Sequence, residues 1–131
     1  MKDSKIEIEK DFKKVNFRLR KDGIMNVTLK SHTNLFTIKD WEESMRWIAS
    51  LGDKKYLNLF EGNFSGADAL VREKSASKDE NKYTIADAFV VKNSSDSLIG
   101  NFYIQFNKPH KPTEVFQNRE DAIEWLLQFK K

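Results

Sequence analysis

The stretch that decides the fold class is residues 84–131, which read TIADAFVVKNSSDSLIGNFYIQFNKPHKPTEVFQNREDAIEWLLQFKK. Its first apolar run, residues 85–91, is typical of a central strand that is covered on both faces. Pro109 and Pro112 then block any helix and predict a turn. Residues 113–116 follow as a short strand. The segment therefore begins with a buried strand and returns to the sheet after the prolines.

Between these two strands lies an ambiguous amphipathic stretch, residues 98–106. An apolar stripe at helical spacing runs through Leu98, Ile99, Phe102, Tyr103 and Phe106. The alternation of Phe102, Ile104 and Phe106 also fits a strand. We interpret the stretch as a helix, because two parallel strands require a crossover connection and no other segment can supply it. A last helix follows, with Asn118 as its cap and Asp121 three residues on.

The first half of the chain continues the same pattern. Residues 15–19 and 25–29 alternate apolar and polar side chains on either side of Asp22-Gly23, which predicts a β-hairpin. Thr37 and Asp40 have the spacing of a capping box at a helix start. A strand at 56–60 and a helix from about Ala67 onward precede the segment quoted above.

The predicted order is therefore β-β-α-β-α-β-α-β-α, which indicates an α/β fold with a mostly parallel central sheet and an antiparallel N-terminal hairpin. We assign residues 15–131 to a single domain. Residues 1–14 form a polar lead that is either a frayed end or a first edge strand, since Ile6 and Ile8 alternate with charges.

Composition narrows the classes of protein. The 131 residues suit one domain, and 39% hydrophobic residues, including ten Phe and three Trp, are enough for a core. The absence of Cys excludes disulfides and thiolate metal sites. The charged start lacks the apolar stretch of a signal peptide, and no run is long enough for a membrane span, so we expect a cytoplasmic protein. The net charge of +3 comes from interspersed charges rather than a basic block, so we expect no nucleic-acid partner.

Two segments carry a resemblance to known proteins: FRLRKDGIMNVTLK, and then AFVVKN together with LIGNFYIQFNKPHKPTEVFQNREDAIEWL. They resemble the SpoIIAA-like fold shared by STAS domains and, more distantly, by Sec14-type lipid carriers. The chain looks most like a group of small uncharacterised bacterial proteins with that fold. The resemblance implies the fold and favours a binding or regulatory role. It implies no particular activity.

The resemblance also points to one modification site. In phosphorylatable STAS antagonists, a serine before a glycine lies where a loop enters a helix, and Ser65-Gly66 is similar. A phosphate there would meet free N–H groups and the positive end of the helix dipole. The chain departs from the antagonists, since Asn63 and Phe64 stand where they place an acidic residue and a second serine. The alternative is that Ser65 only caps the helix.

The sequence contains little that points to catalysis. His32 and His110 lie apart in loop-like settings without metal-ligand spacing, so we expect surface histidines and no metal. No nucleotide-binding glycine loop or hydrolase elbow is present, so we expect no cofactor. Asp87 lies within the apolar strand, where a carboxylate must be paired, hydrogen-bonded or turned to an edge. Glu61, at the end of another strand, is the second candidate acid, and a carboxylate enzyme built on this pair is the rival hypothesis.

We therefore expect a non-catalytic binding or regulatory module rather than an enzyme. Its candidate binding patch is the crossover helix, whose apolar side chains exceed what one sheet can cover. The patch comprises Leu98, Ile99, Asn101, Phe102, Tyr103, Phe106, Asn107 and Lys108. The expected partner is another protein, a second copy of the chain, or a small apolar ligand. A small lipid-binding protein is a further alternative, although the chain lacks the length for a large lipid cavity and lid.

Overall fold

A computed structural model describes residues 6–30, 36–62, 69–79 and 81–130, apart from the side chains at positions 95, 96, 102 and 106. The strands are β1 (Ile6–Asp11), β2 (Val15–Arg20), β3 (Ile24–Leu29), β4 (Tyr56–Gly62), β5 (Thr84–Val90) and β6 (Thr113–Phe116). The helices are α1 (Ile38–Ser50), α2 (Ala69–Ala76), α3 (Ser94–Phe102) and α4 (Arg119–Leu127). A π-helical turn, Tyr103–Asn107, continues α3 directly.

The strands form one six-stranded sheet in the order β1-β2-β3-β4-β5-β6. β1, β2 and β3 pair antiparallel, whereas β3, β4, β5 and β6 are all parallel. The predicted α/β class, with an antiparallel hairpin joined to a parallel sheet, is confirmed. The edge strand β1 is one of the two alternatives that the sequence left open for the polar lead.

Each parallel strand is reached through a helix, and the hand of these connections fixes where the helices lie. Right-handed crossovers place α1, α2 and α3 on the same face of the sheet. α1 packs Trp47 and Ile48 against β2 and β3. α4 follows the last strand and covers the opposite face, where Ala122 and Leu126 are fully buried. We call the two sides the crossover face and the α4 face.

Both predicted helix caps are present. The carboxylate of Asp40 accepts a hydrogen bond from the Thr37 N–H at 2.8 Å, and Lys14 Nζ lies 2.8 Å from the same oxygen. The Asn118 side chain accepts from the Asp121 N–H at 2.8 Å. These bonds satisfy backbone donors that a helix start leaves open.

The helical interpretation of residues 98–106 is also confirmed, with a change of helix type inside the stretch. Gly100 lets α3 lie close to β6, because a Cβ at this position would come within 3.0 Å of Val115 Cγ2. The π-helical turn then begins at Tyr103. Turns of this kind widen a helix locally and are frequent at functional sites. Here it turns the Tyr103 side chain into the protein, where only 5% of the residue is exposed.

Candidate functional site

An apolar pocket of about 110 Å³ lies on the crossover face, between the sheet and helices α2 and α3. The sheet contributes Leu29, Phe60 and Phe89 to its lining. Each of these residues lies within the last three positions of its strand. The pocket is therefore at the carboxyl end of the parallel strands, which is where open α/β sheets bind their ligands.

The walls of the apolar pocket come from Val71 on α2, Ile99 on α3 and Tyr103 on the π-helical turn. Phe36, Arg72, Ser75 and Gly100 complete the lining. Phe60 and Phe89 stack with ring centroids 5.0 Å apart, and Phe89 meets Tyr103 edge to face at 5.8 Å. Aromatic contacts of this kind fix ring positions, so the pocket has a preformed floor.

A second cavity of about 90 Å³ lies behind the apolar pocket, between the sheet and α1. We call it the inner cavity. The two linings have four residues in common: Leu29, Phe36, Phe60 and Ser75. The two cavities therefore lie back to back. The inner cavity also reaches Tyr56 and several amide and hydroxyl side chains, so its lining is more polar.

A buried polar cluster, centred on Asp87, borders both cavities. Lys111 Nζ lies 3.3 Å from Asp87 Oδ2, and the two side chains are only 1% and 2% exposed, respectively. Asn58 Nδ2 donates to the other carboxylate oxygen at 2.9 Å. Asp87 is thus both paired with a cation and hydrogen-bonded. These are two of the three alternatives that the sequence left open for a carboxylate in an apolar strand.

Lys111 uses all three of its protons within the buried polar cluster. Besides the bridge to Asp87, its Nζ donates to Tyr103 Oη at 2.9 Å and to the backbone carbonyl of Ser75. Tyr103 Oη donates in turn to Ser75 Oγ at 3.2 Å. An ammonium group has three donors, so none is left for a substrate. The cluster ties α2, the π-helical turn and the sheet together, and so holds the pocket walls in place.

The charge states follow from the surroundings. Burial lowers the pKa of Lys111, but the attraction of Asp87 and Tyr103 outweighs burial and raises that pKa above its ordinary value. Burial raises the pKa of the Tyr103 phenol, and the nearby Lys111 charge opposes this only in part. At neutral pH the cluster therefore contains an ammonium group and a neutral phenol.

The other candidate acid, Glu61, lies on the opposite face of the sheet. Side chains alternate along a strand, and Glu61 is three positions from Asn58, which contacts Asp87. Arg119 Nε lies 3.3 Å from Glu61, and Arg119 Nη2 donates to Asn26 Oδ1 at 2.6 Å. We call this group the Arg119 bridge. The rival enzyme hypothesis needs Glu61 and Asp87 to converge in one cleft, and the two side chains do not do so.

The structure divides the predicted binding patch. Ile99 and Tyr103 line the apolar pocket, whereas Leu98 is 70% exposed on the outer side of α3. Asn101 is exposed and Asn107 is half-buried. Lys108 is exposed and has a positive φ of 48°, which ends the π-helical turn. The side chains of Phe102 and Phe106 lie outside the described part.

Two other predicted positions, Ser65 and His32, lie outside the described residues. His110 is exposed, with its Nε2 3.1 Å from the Asn81 carbonyl. Burial of the ring and the nearby Lys111 charge lower the pKa of His110 below its ordinary value. Within residues 6–30, 36–62, 69–79 and 81–130, no group of three acidic or histidine side chains is placed to hold a metal ion. None of the helices described for those residues has the length and apolar character needed to cross a membrane.

Sequence reasoning missed the residues that build the site around the predicted patch. Lys111 was not paired with Asp87, because 24 positions separate them and the lysine lies in a turn. A signal was available, because a cation is one of the partners that a carboxylate in an apolar strand can have. Lys111 lies in the turn just before β6. Phe60, Val71 and Phe89 show only core periodicity, which cannot distinguish a filled core from the wall of a cavity.

Comparison with known proteins places these elements in a family. Residues 17–130 match a family model described as a domain of unknown function (DUF7793). The chain belongs to this family. The match to the DUF7793 model begins within β2 and runs past the end of α4, so it includes the apolar pocket, the buried polar cluster and all of the inner cavity's lining except Val15.

One solved structure similar to this DUF7793 domain is a protein with unknown function from Arthrobacter sp. FB24. It is 24% identical, with a TM-score of 0.32, and the match covers 84% of this chain and 90% of that one. No curated protein matches the chain.

Proposed function

We propose that this DUF7793 domain is a non-catalytic binding module that takes a small apolar ligand in the apolar pocket. The observation that carries the proposal is the pocket itself, an apolar space of about 110 Å³ at the carboxyl end of the parallel strands. A concave, mostly apolar and preformed space is the usual form of a small-molecule site, and its place at the strand ends is the usual place for one.

Pocket size sets the class of ligand. A dry apolar cavity of about 150 Å³ is known to hold benzene. The apolar pocket therefore suits one aromatic ring or a short branched alkyl group. A ligand of about seven heavy atoms gains only about 5 kcal/mol, so its Kd would be on the order of 0.1 to 1 mM.

The interior position of the cavities favours a small molecule over a docked protein. Both spaces lie between the sheet and the helices that cover it, and four residues line both of them. On the outer side of α3, Leu98 stands out as an exposed leucine. An exposed leucine is common on protein surfaces, so Leu98 by itself gives little support to a protein interface.

The state of the charged groups supports a role without catalysis. A catalytic acid, base or nucleophile needs an atom that can reach the substrate. Lys111 donates to three groups of the protein, and Asp87 accepts from Lys111 and Asn58. Glu61 is engaged by Arg119 and Asn26 on the far face. These side chains are occupied in holding the fold.

We also propose that the domain has the SpoIIAA/STAS-like fold. The element order supports this, as does the antiparallel N-terminal hairpin joined to a parallel sheet. Its regulatory variant, a phosphorylation switch at Ser65, stays a prediction. Intact-mass measurement of protein from its native cell tests that switch directly. Finding Ser65 unmodified under every growth condition would remove it.

The binding proposal is tested with small apolar probes and a matched pair of variants. Benzene and toluene are titrated into ¹⁵N-labelled protein, and the amide shifts of Val71, Ile99 and Gly100 are followed. Ile99→Trp fills the apolar pocket and should weaken binding at least tenfold. Leu98→Trp is the matched control, because it also introduces a tryptophan but on the exposed side of α3. It should bind benzene and toluene as tightly as the wild type does.

Two results would count against the proposal. One is the absence of any shift in the pocket amides near probe saturation. The other is equal binding by both tryptophan variants, provided that both give folded spectra. If Ile99→Trp does not fold, Val71→Ala serves instead, because it enlarges the pocket and should shift the preference from benzene toward larger probes.

A further inference from the structure

Tyr56, which lines the inner cavity, has a buried hydroxyl group without a hydrogen-bond partner among the described residues. Tyr56 is 5% exposed, and its Oη is fully buried without a hydrogen-bond partner among the described residues. Most buried polar atoms are hydrogen-bonded, and an unpaired one costs stability. This hydroxyl therefore needs a partner that comes from outside the described residues.

Three other polar side chains that line the inner cavity, those of Asn58, Thr84 and Asn81, are hydrogen-bonded within the protein. Asn58 donates to Thr84 Oγ1 at 3.1 Å and to Asp87. Thr84 donates to Asn81 Oδ1 at 3.1 Å, and Asn81 donates to the Ser75 carbonyl at 3.0 Å. Tyr56 differs from these three, because its buried hydroxyl has no hydrogen-bond partner among the described residues. Burial, with the nearby Glu7 charge, raises the pKa of the phenol, so Tyr56 is a neutral donor at ordinary pH.

Strand β4 gives a length scale for the two cavities together. Phe60, which lines both cavities, and Tyr56, which lines only the inner cavity, are four residues apart on β4. A strand rises about 3.3 Å per residue, so their backbone positions are roughly 13 Å apart. A ring in the pocket with a chain of five or six atoms covers that distance. Leu29, Phe36, Phe60 and Ser75 line both spaces, so a ligand that occupies both would pass between these side chains.

We infer that the ligand is a linear amphiphile, whose apolar end fills the apolar pocket and whose terminal hydrogen-bond-accepting oxygen reaches Tyr56 in the inner cavity. The inference rests on the proposed function and adds the class and length of the ligand. A ketone or ether oxygen suits the site, because the neutral Tyr56 phenol supplies one hydrogen-bond donor and has no positive charge of its own to hold a carboxylate. The acceptor would satisfy the unpaired hydroxyl.

A matched pair of probes tests the inference on the intact chain. 6-Phenyl-2-hexanone and hexylbenzene have nearly the same shape and differ in one carbonyl oxygen. The wild type should bind the ketone about tenfold more tightly, since a site built to donate a hydrogen bond discriminates against a ligand that lacks the acceptor. In Tyr56→Phe this preference should disappear, while the affinity for hexylbenzene stays unchanged.

The thermal midpoint of unliganded Tyr56→Phe is a second readout. It distinguishes a hydroxyl kept for a ligand from a hydroxyl that stabilises the fold. Tyr56→Phe removes an unpaired polar atom, so its thermal midpoint should equal or exceed that of the wild type. A lower midpoint would overturn the inference, because it would show that the hydroxyl already has a partner such as a bound water. If the variant does not fold, the Cζ chemical shift of labelled Tyr56 must move with the ketone and not with hexylbenzene.

The two proposals fail in different ways. If hexylbenzene binds in the apolar pocket and the ketone binds no better, the inference about Tyr56 is wrong and the proposed function stands. If neither probe binds, the inference is wrong, and the benzene titration decides separately whether the proposed function stands.

Discussion

The crossover face and the α4 face of the sheet are built from the same strands but are filled differently. On the α4 face, Leu59, Ala88 and Leu126 are completely buried in a continuous core. On the crossover face, three helices cover the sheet, and two cavities remain beneath them. The difference indicates that the α4 face serves mainly for stability, whereas the crossover face has space for an occupant.

The two faces also differ in how they hold charge. The Asp87–Lys111 pair on the crossover face is almost fully buried, whereas Arg119 and Glu61 on the α4 face are 46% and 23% exposed. An exposed pair gains little because water screens it. A buried pair becomes costly when one partner is lost, since the other charge stays without compensation. The buried polar cluster should therefore dominate the electrostatic contribution to stability.

The largest expected effect is that of Lys111→Met. We expect a loss of about 3–5 kcal/mol in the free energy of unfolding, because Asp87 would stay buried without its cation. Urea denaturation measures the loss, and the double variant Lys111→Met with Asp87→Asn should recover part of it. A loss below about 1 kcal/mol would show that the pair is not buried as described.

Alkaline pH should weaken the buried polar cluster without any mutation. The pKa values of Lys111 and Tyr103 are raised above their ordinary 10.5 and 10.0. The unfolded chain therefore releases these protons at a lower pH than the folded chain does. Their contribution is complete below about pH 10 and is lost as the pH rises through the raised values. Stability measured from pH 8 to 12 should fall less steeply in Lys111→Met than in the wild type, and equal slopes would contradict the assignment.

A matched pair of substitutions compares the packing of the two faces. Val90→Ile adds a methylene to the filled α4 face and should destabilise by about 1 kcal/mol. Val71→Ile adds the same group beside the apolar pocket and should be neutral or stabilise by up to about 1 kcal/mol. Thermal unfolding of both variants measures the difference. The same sign and size at both positions would mean that the two faces are equally filled.

The smallest expected effect is that of Arg119→Ala, which removes the partly exposed cation of the Arg119 bridge. We expect a loss of about 1 kcal/mol or less, and the loss should shrink further in high salt. Urea denaturation at two salt concentrations tests this. A loss close to that of Lys111→Met would remove the contrast between the two clusters.

Local patterns in the sequence were sufficient to predict the fold. The alternation in β2 and β3, the Thr37 and Asn118 caps and the need for a crossover before β6 are all short-range signals. They correctly predicted the hairpin, the parallel sheet and the helix that follows β5. The edge strand β1 stayed open between two alternatives, because its side chains are mostly exposed and carry no strong periodic pattern.

The candidate site could be predicted only in part, for two physical reasons. A helical stripe shows that Ile99 and Tyr103 turn inward, but it does not show whether the space they face is filled. The Asp87–Lys111 pair joins a strand to a distant turn, and such contacts depend on the packed fold. The unpaired Tyr56 hydroxyl is likewise visible only when every neighbouring donor and acceptor is in place.

Intermolecular nuclear Overhauser effects between benzene and the methyl groups of the wild-type protein test the central claim most directly. The apolar pocket predicts contacts to Leu29, Val71 and Ile99, and none to the exposed Leu98 or to Leu126 on the α4 face. Contacts confined to Leu98, or no contacts near benzene saturation, would contradict the account.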